Sequence, residues 1–242
     1  MRRFLQIATV LACSAVASWA GPSITLSGNT SFTVNYNGFD EGDGYNFPGL
    51  NSVVKYTVSN WTTGTDNGSS VPYSTGTKYT SFKMTMDIDN TSSLQSYVTS
   101  LGWVTNPDID GFDSSVTGIW DEFNDDDPSD DFPGSGAEFC LSGDNDACEG
   151  DVPNEGVKNG KKSTVSATMF FTGHGSVNFQ NFYVRYEGMD VTVGSGRSER
   201  TYRNAIGTGD VQGNVVPEPS SFAALAAGVG AVAYAVRRRK KA

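Results

Sequence analysis

The sequence predicts an all-β protein, an antiparallel β-sandwich of jelly-roll type with long acidic loops. Three observations support this fold class. The chain has 28 glycines and 12% aromatic residues and is rich in Ser, Thr and Asn, a composition typical of short strands joined by turns. Apolar residues recur with a period of two. No amphipathic crossover helices separate the alternating segments, which disfavours a parallel α/β fold.

The clearest alternation lies in Thr80–Asp89, where apolar side chains occupy every second position. We expect one side of this strand to face the core: Phe82, Met84, Met86 and Ile88. Shorter runs of the same kind predict further strands: Ser31–Asn37, Val53–Ser59, Lys162–Thr172 and Asn178–Glu187. In the last run we expect three residues inward (Phe182, Val184, Tyr186) and three outward (Tyr183, Arg185, Glu187).

Three segments depart from this alternation. Leu94, Val98 and Leu101 have helical spacing, which predicts a short helix over Ser93–Leu101. The region Asn106–Asn159 is predicted to be mostly acidic loop, pinned to the core by Trp120 and Phe123. The Gly-rich, polar segment at residues 204–215 is predicted to be a flexible linker.

The N-terminus has the pattern of a signal peptide over residues 1–20. Arg2 and Arg3 precede an apolar stretch, and small residues precede a cleavage site between Ala20 and Gly21. The alternative is a lipoprotein signal that ends at Cys13. Residues 21–203 are then a single predicted domain, long enough to bury one core.

The C-terminal segment, residues 216–242, has three parts. The motif at 216–220 contains Pro217, Glu218 and Pro219, and its prolines exclude regular structure. Residues 222–236 are apolar and predict a transmembrane helix of roughly 22 Å, shorter than the ~30 Å hydrocarbon core. The basic tail at 237–241 is expected to remain cytoplasmic. An ordinary short anchor, or a tail that docks on the domain, is the alternative.

This combination of motif, short span and basic tail resembles the PEP-CTERM sorting signal of Gram-negative bacteria. The resemblance implies that an exosortase-type enzyme in the inner membrane recognises Pro217, Glu218 and Pro219. It also implies export and association with exopolysaccharide and biofilm. The expected location is membrane-anchored, at the cell surface or in the extracellular matrix.

The body more loosely resembles the cistern family PEP-CTERM proteins. The likeness rests on the order of four short motifs: Asn37-Gly38-Phe39, Asn90-Thr91-Ser92-Ser93, the pair Cys140 and Cys148, and Phe182-Tyr183-Val184-Arg185-Tyr186. That family has no established activity, so the resemblance implies no functional site.

The charge of the body limits its partners. Removing both terminal segments takes away seven of 17 basic residues but only one of 27 acidic residues. The remaining body has a net charge near −16. Nucleic acid is excluded as a partner because phosphate binding needs a basic face. An anionic polysaccharide would be repelled unless divalent cations bridge the two surfaces.

The two remaining cysteines, Cys140 and Cys148, form an even pair in an exported protein and predict a disulfide. A zinc site is the alternative interpretation. It would need more ligands than the chain offers, since His174 is the only histidine.

The acidic run at residues 121–131 predicts a calcium site, because crowded carboxylates favour a bound hard cation. The candidate ligands are Asp125, Asp126, Asp127, Asp130 and Asp131. Residues 108–113 are a second candidate. A solvated acidic loop without metal is the alternative in both cases.

Catalytic residues are not predicted. His174 lies between two glycines, which is typical of a hairpin turn, and the sequence has no Gly-x-Ser-x-Gly motif. Aromatic residues near loops offer rings for stacking on sugars, with core packing as the alternative: Trp61, Tyr73, Tyr97, Trp103 and Tyr202.

Taken as one pattern, these features predict an exported, non-enzymatic protein of the cell envelope or extracellular matrix. A calcium-assisted carbohydrate-binding module is the first alternative. A glycan-active hydrolase is the second, although the many acidic residues of the body do not single out a catalytic pair.

Overall fold

The computed structural model describes residues 23–40, 45–67, 74–114, 120, 122–124, 137, 139–143, 156–173, 175–196 and 199–212. Within these residues the chain forms fourteen strands and no α-helix. Twelve strands make one curled antiparallel sheet, and two form a small separate sheet. The predicted all-β, antiparallel class is therefore confirmed.

The strands of the first half are β1 (Ser23–Leu26), β2 (Thr30–Asp40), β3 (Tyr45–Thr65), β4 (Lys78–Asn90), β5 (Tyr97–Asn106), β6 (Ile109–Ser114) and β7 (Glu122–Asn124). Those of the second half are β8 (Phe139–Ser142), β9 (Val157–Lys158), β10 (Lys162–Thr172), β11 (Val177–Glu187), β12 (Val191–Val193), β13 (Arg200–Tyr202) and β14 (Ala205–Gln212).

The curled sheet has two arms. The first arm has the order β6-β10-β4-β3-β2, and the second has the order β11-β5-β8-β7, with β1 also paired to β11 and β9 to β5. Strand β14 lies between β2 and β11 and joins the arms. The described strands therefore form a continuous sheet rather than the two separate sheets of the predicted sandwich.

The joining strand β14 changes partner along its length. Its first half pairs with β11, from Ala205 opposite Tyr186 to Thr208 opposite Tyr183. Its second half pairs with β2, beginning at Gly209 opposite Tyr36. The predicted flexible linker at 204–215 is therefore wrong for residues 205–212. Glycine in this strand permits close packing, and composition alone does not distinguish that role from flexibility.

The core lies between the two arms and is mainly aromatic. Tyr56 of β3 meets Trp103 of β5 with ring centroids 6.1 Å apart. Phe82 of β4 meets Phe179 of β11 at 6.3 Å. Each large apolar side chain buried here stabilises the fold by about 1.5–3 kcal/mol. The predicted inward side of β4 is confirmed, since Phe82, Met84, Met86 and Ile88 are all buried.

The predicted helix over Ser93–Leu101 is wrong. Residues 93–95 form a bend, and β5 begins at Tyr97. Six consecutive residues of β5 are buried, from Val98 to Trp103. A strand covered on both faces shows no period of two, so its apolar residues can imitate helical spacing.

The predicted hairpin around Gly173-His174-Gly175 is also wrong, although His174 itself lies outside the described residues. Strand β10 pairs with β4 and β6, whereas β11 pairs with β1, β5 and β14. The connection therefore crosses from one arm to the other. Thr80 holds it by donating to the Gly173 carbonyl at 2.9 Å and accepting from the Gly175 amide at 3.3 Å.

The outer side of the second arm is partly covered by other residues. Two side chains of β11 that were predicted to face solvent, Tyr183 and Glu187, are therefore buried. Tyr183 packs with Ala137, Cys140 and Ile206 in a second small core. Glu187 is buried and accepts a hydrogen bond from Arg185 Nε at 2.8 Å. Both side chains were expected to face solvent. Residues of the long region between β6 and β9 cover this side, which no local pattern in β11 reveals.

The segments at both ends of the chain lie outside the described residues, including the predicted signal peptide and the predicted transmembrane helix. Among the residues that are described, no helix has the length and apolarity needed to cross a membrane.

Candidate functional site

A polar surface that crosses three strands lies on the first arm. We call this surface, on the solvent side of β3, β4 and β10, the outer face. Its side chains alternate with core residues along each strand and are exposed or half-buried. They are Lys55, Thr57, Lys83, Thr85, Asp87, Asp89, Lys162, Thr164, Ser166 and Thr168.

Strand register places these side chains in rows across the arm. Lys55 lies opposite Asp87, and Asp87 lies opposite Thr164. The Thr164 hydroxyl donates to Asp87 Oδ1 at 2.8 Å. In the adjacent row, Lys162 Nζ lies 2.6 Å from Asp89 Oδ2. Neighbouring strands are about 4.8 Å apart, so each carboxylate has basic and hydroxyl groups within reach.

Two shallow cavities open on the outer face. The larger has a volume of about 330 Å³ and is lined by Lys55, Asp87, Asp89, Lys162 and Thr164, among others. The smaller, about 220 Å³, lies farther along β10 and is lined by Lys83, Ser166 and Thr168 of the outer face and by Asp113 of β6.

The arrangement offers hydrogen-bond donors and acceptors close together, which suits a ligand with many hydroxyl groups. The alternating pattern in the sequence indicates the strands but not this site. Alternation shows that Asp87 and Asp89 point outward, but only the register places Lys55 beside the first and Lys162 beside the second. The nearest signal in the sequence is the run of charged and hydroxyl residues at alternate positions of Thr80–Asp89.

A network of buried hydroxyl groups in the core is structural. Tyr36 and Tyr56 share a hydrogen bond of 2.7 Å, and Tyr186 bonds to the Ser52 hydroxyl at 2.8 Å. Burial raises the pKa of all three tyrosines, and the neighbouring Tyr56 raises the pKa of Tyr36 further. These phenols stay protonated at neutral pH, and each has a buried hydroxyl group as its hydrogen-bond partner.

Asn90, which begins one of the four short motifs, is also structural. Its side chain is fully buried and donates to the carbonyl groups of Ser96, at 3.3 Å, and Val157, at 2.8 Å. Its Oδ1 accepts the Ser92 amide at 3.2 Å. The motif thus fastens the turn between β4 and β5 to β9.

The aromatic residues proposed for sugar stacking are mostly engaged in packing. Trp103 is buried in the core. Trp61 is half-buried and stacks on Phe82, with ring centroids 4.9 Å apart. Tyr202 stacks on Tyr45 at 5.8 Å. Tyr97 is half-buried at the start of β5, and Tyr73 lies outside the described residues.

Trp120 was predicted to hold the acidic region against the core, and its position agrees with this. Its side chain is buried, and its indole nitrogen donates to the Ser163 hydroxyl of β10 at 3.0 Å. Phe123 lies on β7, but its side chain lies outside the described part.

Most of the predicted site residues lie outside the described residues: Pro217, Glu218, Pro219, Ala20, Gly21, Cys148, Asp125, Asp126, Asp127, Asp130 and Asp131. Cys140 is buried on β8, and its pairing with Cys148 stays a prediction. The calcium site at residues 125–131 likewise stays a prediction.

The second calcium candidate, at residues 108–113, lies within the described part of the chain, where its carboxylates are not gathered into a group that could hold a metal ion. Asp110 accepts a hydrogen bond from the Thr172 amide. Within the described part of the chain, no three His, Cys, Asp or Glu side chains are grouped to hold a metal ion.

Comparison with known proteins identifies the C-terminal segment. A family model described as the PEP-CTERM protein-sorting motif matches residues 215–240. The predicted sorting signal is therefore confirmed, and it implies export, membrane-anchored sorting and processing by an exosortase-type enzyme in a Gram-negative bacterium. Comparisons with curated proteins and with solved structures found no match.

Proposed function

We propose that this chain, an exported substrate of an exosortase-type enzyme, is a non-enzymatic envelope or matrix protein that associates with exopolysaccharide. The sorting motif at residues 215–240 is the observation that carries the proposal. It directs a folded β domain to the cell envelope, where the surrounding polymers are the available partners.

The outer face supports this association. Its lysine, aspartate, serine and threonine side chains provide both donors and acceptors for sugar hydroxyl groups. Strands fix the backbone of these residues, so the conformational entropy lost on binding is that of the exposed side chains and not of the backbone.

The sorting motif follows the domain closely. Strand β14 ends at Gln212, and Pro217 is only five residues farther on. Such a segment spans roughly 17 Å at most when fully extended. The folded domain therefore remains beside the processing site until the enzyme has acted.

Localisation in the native host tests the proposal. Deleting residues 217–242 should change the distribution of the protein between membrane, envelope and medium, and Glu218→Ala should do so without shortening the chain. Gln212→Ala, an exposed position at the end of β14 and outside the motif at 216–220, is the matched control and should behave as wild type. Unchanged localisation of both the deletion and Glu218→Ala would refute the sorting role.

Mass spectrometry of the native protein tests processing directly. We expect a chain that begins at Gly21, ends near Pro217 and is 2 Da lighter than the reduced form. A chain that retains Arg237 and Lys241 in the membrane fraction would instead indicate a simple anchor.

A calcium-assisted carbohydrate-binding module is the second candidate, favoured by the acidic run at residues 121–131. A glycan array probed with and without EDTA distinguishes the two. Binding that EDTA abolishes supports the calcium-assisted module, and EDTA-insensitive binding excludes it.

A further inference from the structure

The basic residues of the domain are concentrated on one part of its surface. Residues 21–215 contain ten lysines and arginines. Five of these lie on the outer face or in the β9–β10 turn at its end, and all five are exposed: Lys55, Lys83, Lys158, Lys161 and Lys162. The strongly acidic average of the chain hides this local surplus of positive charge.

The β9–β10 turn is fixed beside the larger cavity. The Lys161 amide donates to the Lys158 carbonyl at 2.9 Å, and the Asn90 amide donates to the Lys161 carbonyl at 3.1 Å. Lys162, the next residue, lines the cavity itself. Lys55 and Lys162 therefore line the larger cavity, Lys158 and Lys161 belong to the turn that leads into Lys162, and Lys83 lines the smaller cavity.

The two cavities lie one after the other along β10, and we call this stretch of the outer face the groove. Thr164 lines the larger and Thr168 the smaller. These residues are four positions apart on one strand, or roughly 13 Å. A linear polymer can therefore contact lysines at both ends of the groove.

Three aspartates line the same two cavities as the lysines: Asp87 and Asp89 on β4, and Asp113 on β6. They would repel a continuous polyphosphate backbone. A uronic-acid polymer carries hydroxyl groups between its carboxylates, and those hydroxyls can donate to the aspartates. The alternation of charges therefore favours an anionic sugar over a nucleic acid.

We infer that this groove binds an anionic glycan of the uronic-acid class. Lys55, Lys83 and Lys162 bind the sugar carboxylates, Asp87 and Asp89 accept from the sugar hydroxyls, and Lys158 and Lys161 raise the local potential. This inference rests on the proposed function and adds the ligand class. It also revises the expectation from net charge: three lysines and three aspartates line the two cavities, and Lys158 and Lys161 of the preceding turn add two further positive charges.

Isothermal titration of the mature protein tests the inference. The probes are polygalacturonate, its methyl ester, in which the same sugar chain is uncharged, and duplex DNA. We expect polygalacturonate to bind, with an affinity that falls as salt rises. The methyl ester should bind at least about tenfold more weakly, because charge-assisted hydrogen bonds are lost.

Variants locate the site. Lys55→Ala combined with Lys162→Ala should weaken polygalacturonate binding by about tenfold or more. Lys78→Ala is the matched control, since Lys78 is an exposed lysine of β4 at a core-side position, and it should bind as wild type. Asp87→Ala should also weaken binding, whereas simple attraction of a polyanion would become stronger.

Three outcomes would overturn the inference. Equal binding of polygalacturonate and its methyl ester would leave glycan association standing but remove the role of charge. Binding of duplex DNA as tight as that of polygalacturonate would indicate non-specific attraction of polyanions. No binding of any probe would refute the uronic-acid ligand, while the localisation experiments would still decide the proposed function.

Discussion

At the scale of single residues, three buried tyrosines provide the clearest electrostatic feature of the core. Tyr36 and Tyr56 bond to each other, and Tyr186 bonds to Ser52. Their ordinary pKa is 10.0, and burial raises it in the folded state because a phenolate loses its hydration there. The unfolded chain therefore releases these protons at lower pH than the folded chain does.

We predict that the contribution of these groups to stability is fully present below pH 10 and is lost as the pH rises above it. Each tyrosine lowers the free energy of unfolding by about 1.4 kcal/mol per pH unit in this range. Urea denaturation from pH 8 to pH 12 measures the effect. The double variant Tyr36→Phe/Tyr56→Phe should show a shallower decline, and a decline as steep as that of wild type would contradict the prediction.

At the scale of secondary-structure elements, β14 depends on two glycines for its position between β2 and β11. A Cβ atom at Gly207 would lie 1.8 Å from the Asn37 carbonyl oxygen. At Gly209 it would lie 2.5 Å from Val34 Cγ1. The first neighbour is backbone and the second is a buried side chain, so neither can withdraw at low cost.

We therefore predict that Gly207→Ala lowers the free energy of unfolding by about 3 kcal/mol or more, because the added methyl group forces β2 and β14 apart. Gly28→Ala is the matched control, since a Cβ atom there meets nothing within 4 Å, and its effect should stay within about 0.5 kcal/mol. Equal stabilities of the two variants in chemical denaturation would show that β14 does not pack closely.

The strands also show where the local sequence pattern is not enough to predict secondary structure. The alternation in β4 predicted its core side correctly because one face of that strand is solvated. Strand β5 was predicted as a helix because both of its faces are buried. The turn after β10 contains glycines, as a hairpin turn would. It is not a hairpin, because β11 pairs with strands of the second arm and not with β10.

At the scale of the whole molecule, β14 is the link that makes one sheet of two arms. Within the described strands, the hydrogen-bonded path between β2 and β11 runs only through β14. This strand is also the last described element before the sorting motif. The sheet can therefore close only after almost the whole domain has been exported.

We predict that a chain ending at residue 212 folds, whereas a chain ending at residue 204 does not keep its arms packed. The shorter chain should lose its near-ultraviolet circular dichroism and bind a hydrophobic dye, because the aromatic core loses the strand that closes it. Both chains would begin at Gly21. Native-like spectra from the shorter chain would show that the arms associate without β14.

The sequence by itself determined the sorting signal of this protein and its fold class. Prolines, an apolar span and a basic tail are contiguous, so residues 215–240 are recognisable without any structure. Alternation in β4 likewise depends only on neighbours in the chain. The tertiary structure decided which strands meet, and so the role of β14 and the assembly of Lys55, Asp87 and Lys162 on one face. Those contacts join residues that are not neighbours in the chain, from Tyr186 with Ala205 to Asp87 with Thr164, and their pairing depends on sheet register, which the local sequence does not encode.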